Sequence, residues 1–73
     1  MKVKVTRKSG DVATVEAEEG DTVRKVLESA QEDVPEDHKV FLDGREVDLE
    51  DEGALVQDQS VVVVQPEVAG GQS

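Results

Sequence analysis

This chain of 73 residues has no cysteine, tryptophan, tyrosine or isoleucine, and a single phenylalanine. Without cysteine there is no disulfide framework, no thiolate metal site and no cysteine nucleophile. Cations are scarce: 8 lysines and arginines stand against 18 aspartates and glutamates, for a formal net charge of -10. Phosphate contacts need clustered Lys and Arg, so nucleic acid is not an expected partner. Long apolar runs are also missing. The longest, Val61 to Val64, falls far short of the ~20 residues that span a bilayer, and no membrane association is expected. Met1-Lys2-Val3-Lys4-Val5 alternates where a signal peptide would be continuously apolar. A soluble, cytoplasmic, monomeric protein is the expectation.

Valine dominates what is present. Fifteen valines and four leucines make up most of the large apolar side chains. A domain of this length buries only about 60% of its extended-chain surface, so its net stability is small. Abundant acids, few lysines and short core side chains suggest adaptation to high salt. At low salt the acids repel one another over a long Debye length, which molar salt cuts to ~3 Å.

The period of two governs the N-terminal part. Val3 and Val5 alternate with Lys2, Lys4 and Thr6; after the turn signal Lys8-Ser9-Gly10-Asp11, Ala13, Val15 and Ala17 alternate with Thr14 and Glu16. Residues 2 to 17 therefore read as a β-hairpin. Asp21 or Thr22 can cap a helix, and Val23, Val26, Leu27 and Ala30 form one apolar helix face. Pro35 stops that helix, giving an expected span of 22 to 33. His38 to Leu42 is a short strand, Asp43-Gly44 a hairpin turn, and Glu46 to Asp48 a brief return strand. Glu50-Asp51-Glu52-Gly53 is an acidic loop, and Leu55 and Val56 offer a further apolar anchor. Ser60 to Gln65 is the most β-prone stretch, ended by Pro66. Residues 67 to 73 carry too little apolar surface to pack and read as a mobile tail after one domain of residues 1 to 66.

One amphipathic helix needs one apolar sheet face. The simplest arrangement is an α+β fold in which a mixed four- or five-stranded sheet wraps one helix, with the first and last strands parallel at the centre. This is the β-grasp arrangement. If Val40 and Leu42 face the helix, Phe41 faces out, and Val61 and Val63 do the same opposite Val62 and Val64. Phe41, Val61 and Val63 then form an outward cluster able to anchor a transient partner. A register slip of one residue would turn all of them over.

The chain resembles ubiquitin and its prokaryotic relatives from Met1 to Gly71. The resemblance rests on the opening strand, Gly10 in the first turn, and Glu16-Ala17-Glu18 followed by Gly20-Asp21-Thr22-Val23. It continues through Val34-Pro35-Glu36-Asp37, Lys39-Val40-Phe41-Leu42-Asp43-Gly44-Arg45, and Gly70-Gly71. The acidic composition makes it most similar to the small archaeal modifier proteins of salt-adapted archaea. The resemblance implies that the outward sheet face docks partners and that Gly70 and Gly71 are the conjugation site. In such proteins an activating enzyme uses ATP to adenylate the terminal glycine carboxylate, and the acyl group passes to a substrate lysine as an isopeptide bond. In sulfur-carrier relatives the carboxylate becomes a thiocarboxylate. Two residues without Cβ suit threading into a narrow channel, and residues 66 to 71 can reach roughly 20 Å at ~3.3 Å per residue.

Two departures stand out. Gln72 and Ser73 follow Gly71, so a processing protease must remove them before activation, or the chain is never conjugated. Glu67, Val68 and Ala69 stand where ubiquitin has basic residues before its glycines, which points to an archaeal activating enzyme.

The remaining residues read plainly. His38 is an ordinary surface residue. The loop from Asp48 to Glu52 lacks the calcium-loop pattern and is a solvated face. Lys2, Lys4, Lys8, Lys25 and Lys39 are equivalent as acceptors for chain formation. The chain has no nucleophile–base pair, metal constellation or phosphate loop, so it is expected to be a substrate of other enzymes, not an enzyme, and to bind no cofactor. Three readings remain: a protein modifier, a sulfur carrier, and a non-conjugated ubiquitin-like binding module. In a circular dichroism series, the thermal midpoint is expected to rise between low and molar KCl; equal stability throughout would remove the argument for salt adaptation.

Overall fold

The computed structural model describes residues 1–67. The alternating N-terminus forms β1 (Lys2–Thr6) and β2 (Val12–Glu16), paired antiparallel with Val3 opposite Val15 and Val5 opposite Ala13. Gly10 takes φ 99° in the turn between them, a conformation that Gly reaches without steric penalty. The helix α1 follows (Val23–Ser29), then β3 (His38–Leu42), β4 (Arg45–Val47) and β5 (Val61–Pro66). One five-stranded sheet results, in the order β2-β1-β5-β3-β4. β5 runs parallel to β1 and antiparallel to β3. The molecule is thus an α+β domain with a mixed sheet and one helix, and the first and last strands are neighbours at its centre, as expected. Among the described residues no helix is long and apolar enough to cross a membrane.

The helix packs on one sheet face only. Its Val23, Val26 and Leu27 are buried against Val3, Val5, Val15, Val40, Val62 and Val64. Nine of the twelve buried apolar residues are valines, with two alanines and one leucine. Short side chains keep this layer thin. A β-branched residue suits it in the strands, where its restricted χ1 fits the pleat.

Thr22 caps the helix, its Oγ1 accepting from the Lys25 N–H at 3.2 Å. Asp21 instead accepts from the Glu18 N–H at 2.9 Å and shapes the preceding turn. The helix stops at Ser29, four residues before the expected end. Gln31 turns left-handed with φ 57°. Its N–H then reaches the Glu28 carbonyl, and the Glu32 N–H reaches the Leu27 carbonyl, both at 3.0 Å. This is a Schellman motif with glutamine in place of the usual glycine. The return strand also sits one residue earlier than expected, at Arg45–Val47. A second correction concerns Leu55. An isolated bridge joins Thr22 to Leu55, and the Val23 N–H donates to the Ala54 carbonyl. In extended chain, neighbours face opposite ways; Ala54 and Val56 are buried and Leu55 is 46% exposed.

The early helix end delivers Glu32 to the β1–β2 turn. Its side chain is 3% exposed. Oε1 accepts from Arg7 Nε at 3.1 Å and Oε2 from the Lys8 backbone N–H at 2.7 Å. Burial pushes the carboxyl up, but the Lys8 N–H, the Arg7 hydrogen bond and the two positive charges outweigh it and hold the group below its ordinary value. Glu32 therefore stabilises the fold fully above the unfolded carboxyl value of about 4.3. That contribution disappears as pH falls through the lower folded value. Glu32→Gln is expected to lose about 2 kcal/mol at pH 7 and to flatten the acid limb of a urea-stability profile below pH ~4.3. An unchanged acid limb would show that Glu32 is not the titrating latch.

Candidate functional site

The helix covers one face of the sheet, and among the described residues no second layer covers the other. Register fixes what that outer face presents. One cross-strand row runs from Val12 through Thr6 and Val63 to Phe41 and Glu46. A second joins Thr14, Lys4 and Val61. Phe41 and Val63 are half-buried by their neighbours, Val61 is 37% exposed and Val12 is 61% exposed. A groove of about 780 Å³ lies beside Val61, between Lys4, Thr14 and Asp58.

The direction of Val61 is held by the β3–β4 turn. Asp43 and Gly44 both take positive φ, 52° and 86°, the signature of a type I′ hairpin turn. That geometry lets the Asp43 carboxylate grip the start of β5. Oδ1 accepts from the Val61 N–H at 2.9 Å, and the Asp43 N–H donates to the Val61 carbonyl at 2.8 Å. The Ser60 hydroxyl donates to Oδ2 at 3.2 Å while accepting from the Gln57 N–H at 2.9 Å. Ser60 is buried by this network. Four successive valines carry no polar alternation to set their own register; Asp43 and Ser60 supply it.

Charge is unevenly distributed. The strand residues of the outer face include Lys2, Lys4 and Lys39 against Glu16 and Glu46. With Asp58, which lines the groove beside Val61, the two signs balance on this face of a chain of net charge -10. It combines aliphatic and aromatic surface with a fringe of lysines and carboxylates.

The expected cluster of Phe41, Val61 and Val63 therefore lies together on one face. Val12 extends it to the sheet edge and was missed, although it shares the alternation of Thr14 and Glu16. Gly70 and Gly71 lie outside the described residues, as does the expected tail apart from Glu67, whose N–H donates to the Asp37 carbonyl at 2.6 Å. His38, expected at the surface, has a side chain only 15% exposed, with Nδ1 2.8 Å from Asp37 Oδ1. That hydrogen bond is the main cause holding the Asp37 carboxyl below its ordinary value. The acceptor lysines differ: Lys39 pairs with Glu46 at 3.5 Å and Lys8 reaches the Asp33 carbonyl at 3.4 Å. Among the described residues no group of three or more His, Asp or Glu is placed to hold a metal ion.

No protein-family model and no curated protein matches this chain. The case for its function rests on the residues and their arrangement.

Strand parity is open to direct measurement. Val62 is fully buried and Val61 partly exposed. Val62→Ala is expected to lose about 2 kcal/mol in urea denaturation, and Val61→Ala no more than about 0.5 kcal/mol. The reverse order would mean that β5 is turned over and that Phe41 and Val63 face the helix.

Proposed function

We propose that this chain is a ubiquitin-like protein of β-grasp fold, similar to the small archaeal modifiers, that is joined through the Gly71 carboxylate to lysines of other proteins. The observation that carries the reading is the path of the last strand. β5 lies at the centre of the sheet, parallel to β1, and ends at Pro66. The glycine pair follows four residues later in sequence. A body whose central strand ends at Pro66, four residues before the glycine pair in sequence, suits presentation of a freed glycine carboxylate to another protein's active site. The outer face gives the body a surface by which an activating enzyme can hold it.

The chemistry follows from the end group. Hydrolysis of the Gly71–Gln72 bond by a protease frees the Gly71 carboxylate. A carboxylate oxygen attacks the α-phosphorus of ATP and pyrophosphate leaves, making an acyl adenylate in the activating enzyme. A lysine amine attacks the acyl carbon, AMP departs, the nitrogen loses a proton and an amide bond forms. Every catalytic group belongs to the partner enzymes. The glycines contribute access, because backbone without Cβ enters a narrower channel than any other residue allows.

Intact mass of the chain from its native cells tests this. The expected mass ends at Gly71, and Gly71→Ala should abolish lysine-linked conjugates in those cells. A species in which one carboxylate oxygen is replaced by sulfur would make the chain a sulfur carrier. A chain retaining Gln72 and Ser73 throughout would leave a binding module that works through its sheet face alone.

A further inference from the structure

A second surface, on the opposite side of β3 from the centre of the sheet, differs from the outer face in shape and charge. β4 pairs with only three of the five residues of β3, Val40 to Leu42. After Val47 the chain departs, and among the described residues no strand pairs with His38 and Lys39 on that side; the His38 N–H donates to the Pro35 carbonyl at 3.0 Å. A groove of about 720 Å³ opens there. Val34, Val47 and Leu49 line it and are half-buried fringes of the hydrophobic core. Glu36, Asp48, Glu50 and Glu67 line it as well, all exposed. The basic side chains beside them have partners: Lys39 Nζ is 3.5 Å from Glu46, and His38 Nδ1 is 2.8 Å from Asp37 Oδ1.

We propose that this groove binds a segment of a partner protein in which an apolar side chain is flanked by lysine or arginine. Two independent features select that occupant. Beside β3, the half-buried Val34, Val47 and Leu49 offer a pocket for one apolar side chain. The apolar lining is surrounded by four carboxylates without free counter-charges in the groove, so a cationic segment is attracted and an acidic one repelled. A second copy of this chain, at net charge -10, is a poor occupant for the same reason.

The test uses the full chain, in KCl at which circular dichroism shows it folded, and a fluorescein-labelled peptide with one central valine between paired arginines. Its glycine analogue should bind about tenfold more weakly, as burial of a valine side chain implies. Glu50→Lys is expected to weaken binding of the valine peptide about fivefold. Glu19→Lys, an equal change of charge at an exposed position outside the groove, should weaken it less than about twofold. Amide shifts in an NMR titration should concentrate at Val34, Val47, Leu49 and Glu50. No binding, equal affinity for the two peptides, or equal loss from both variants overturns the proposal. None of these readings depends on Gly71, so failure here leaves the conjugation reading standing.

Discussion

A single seven-residue helix shields a five-stranded sheet on one face. This lopsided layering is the constraint from which the rest follows. With only one cover, each strand buries the apolar residues of one parity on the helix side. Val3, Val5, Val15, Val40, Val62 and Val64 are those residues, set by the two-residue period of extended chain. Whatever else is apolar in a strand is then turned away from the helix. Phe41, Val61, Val63 and Val12 are that remainder, and they gather on adjacent strands because neighbouring residues in register share a face. The outer apolar patch is thus the complement of the core, produced by the same alternation.

Four valines in a row would leave this outcome undecided if β5 stood alone. Its parity is borrowed from polar atoms at its start, where Asp43 holds both backbone groups of Val61 and the Ser60 hydroxyl closes the network. Glu32 plays a comparable part at the far end of β1. A glutamine in left-handed conformation ends the helix early at some cost in backbone energy. In return, the Glu32 carboxylate joins the β1–β2 turn to the helix end through Arg7 and Lys8. In a core of short side chains, such polar clasps fix geometry that apolar packing alone would leave loose.

The sequence made the strands and their faces legible wherever polar and apolar residues alternate. The hairpin, the Asp43-Gly44 turn and the central pairing of first and last strands all follow from such patterns. The C-terminus of the helix did not, because the residue that turns left-handed is glutamine and not glycine. Leu55 misled because hydrophobicity alone cannot say which of two adjacent extended residues faces inward; the bridge to Thr22 decides it. Glu32 reads as one more acid near a helix end, and only the folded chain brings it to Arg7. The groove beside β3 has no linear signature at all. It is assembled from the loop after the helix, the start of β3, the exit of β4 and Glu67.

That assembly bears on how the molecule would work with more than one partner. Glu67 lines the groove and is tied by its N–H to the Asp37 carbonyl, where the chain leaves β5. Pro66 stands opposite His38, so the same few residues of β3 support both the groove and the exit of the chain. Phe41, Val61 and Val63 lie on the outer face, whereas Val34, Val47 and Leu49 of the groove belong to the fringe of the core. A partner gripping Phe41, Val61 and Val63 leaves the groove unblocked, while a segment seated in the groove lies against the base of the terminal residues. Under the proposed conjugation, the body would be held on the outer face while the groove stays open beside Glu67.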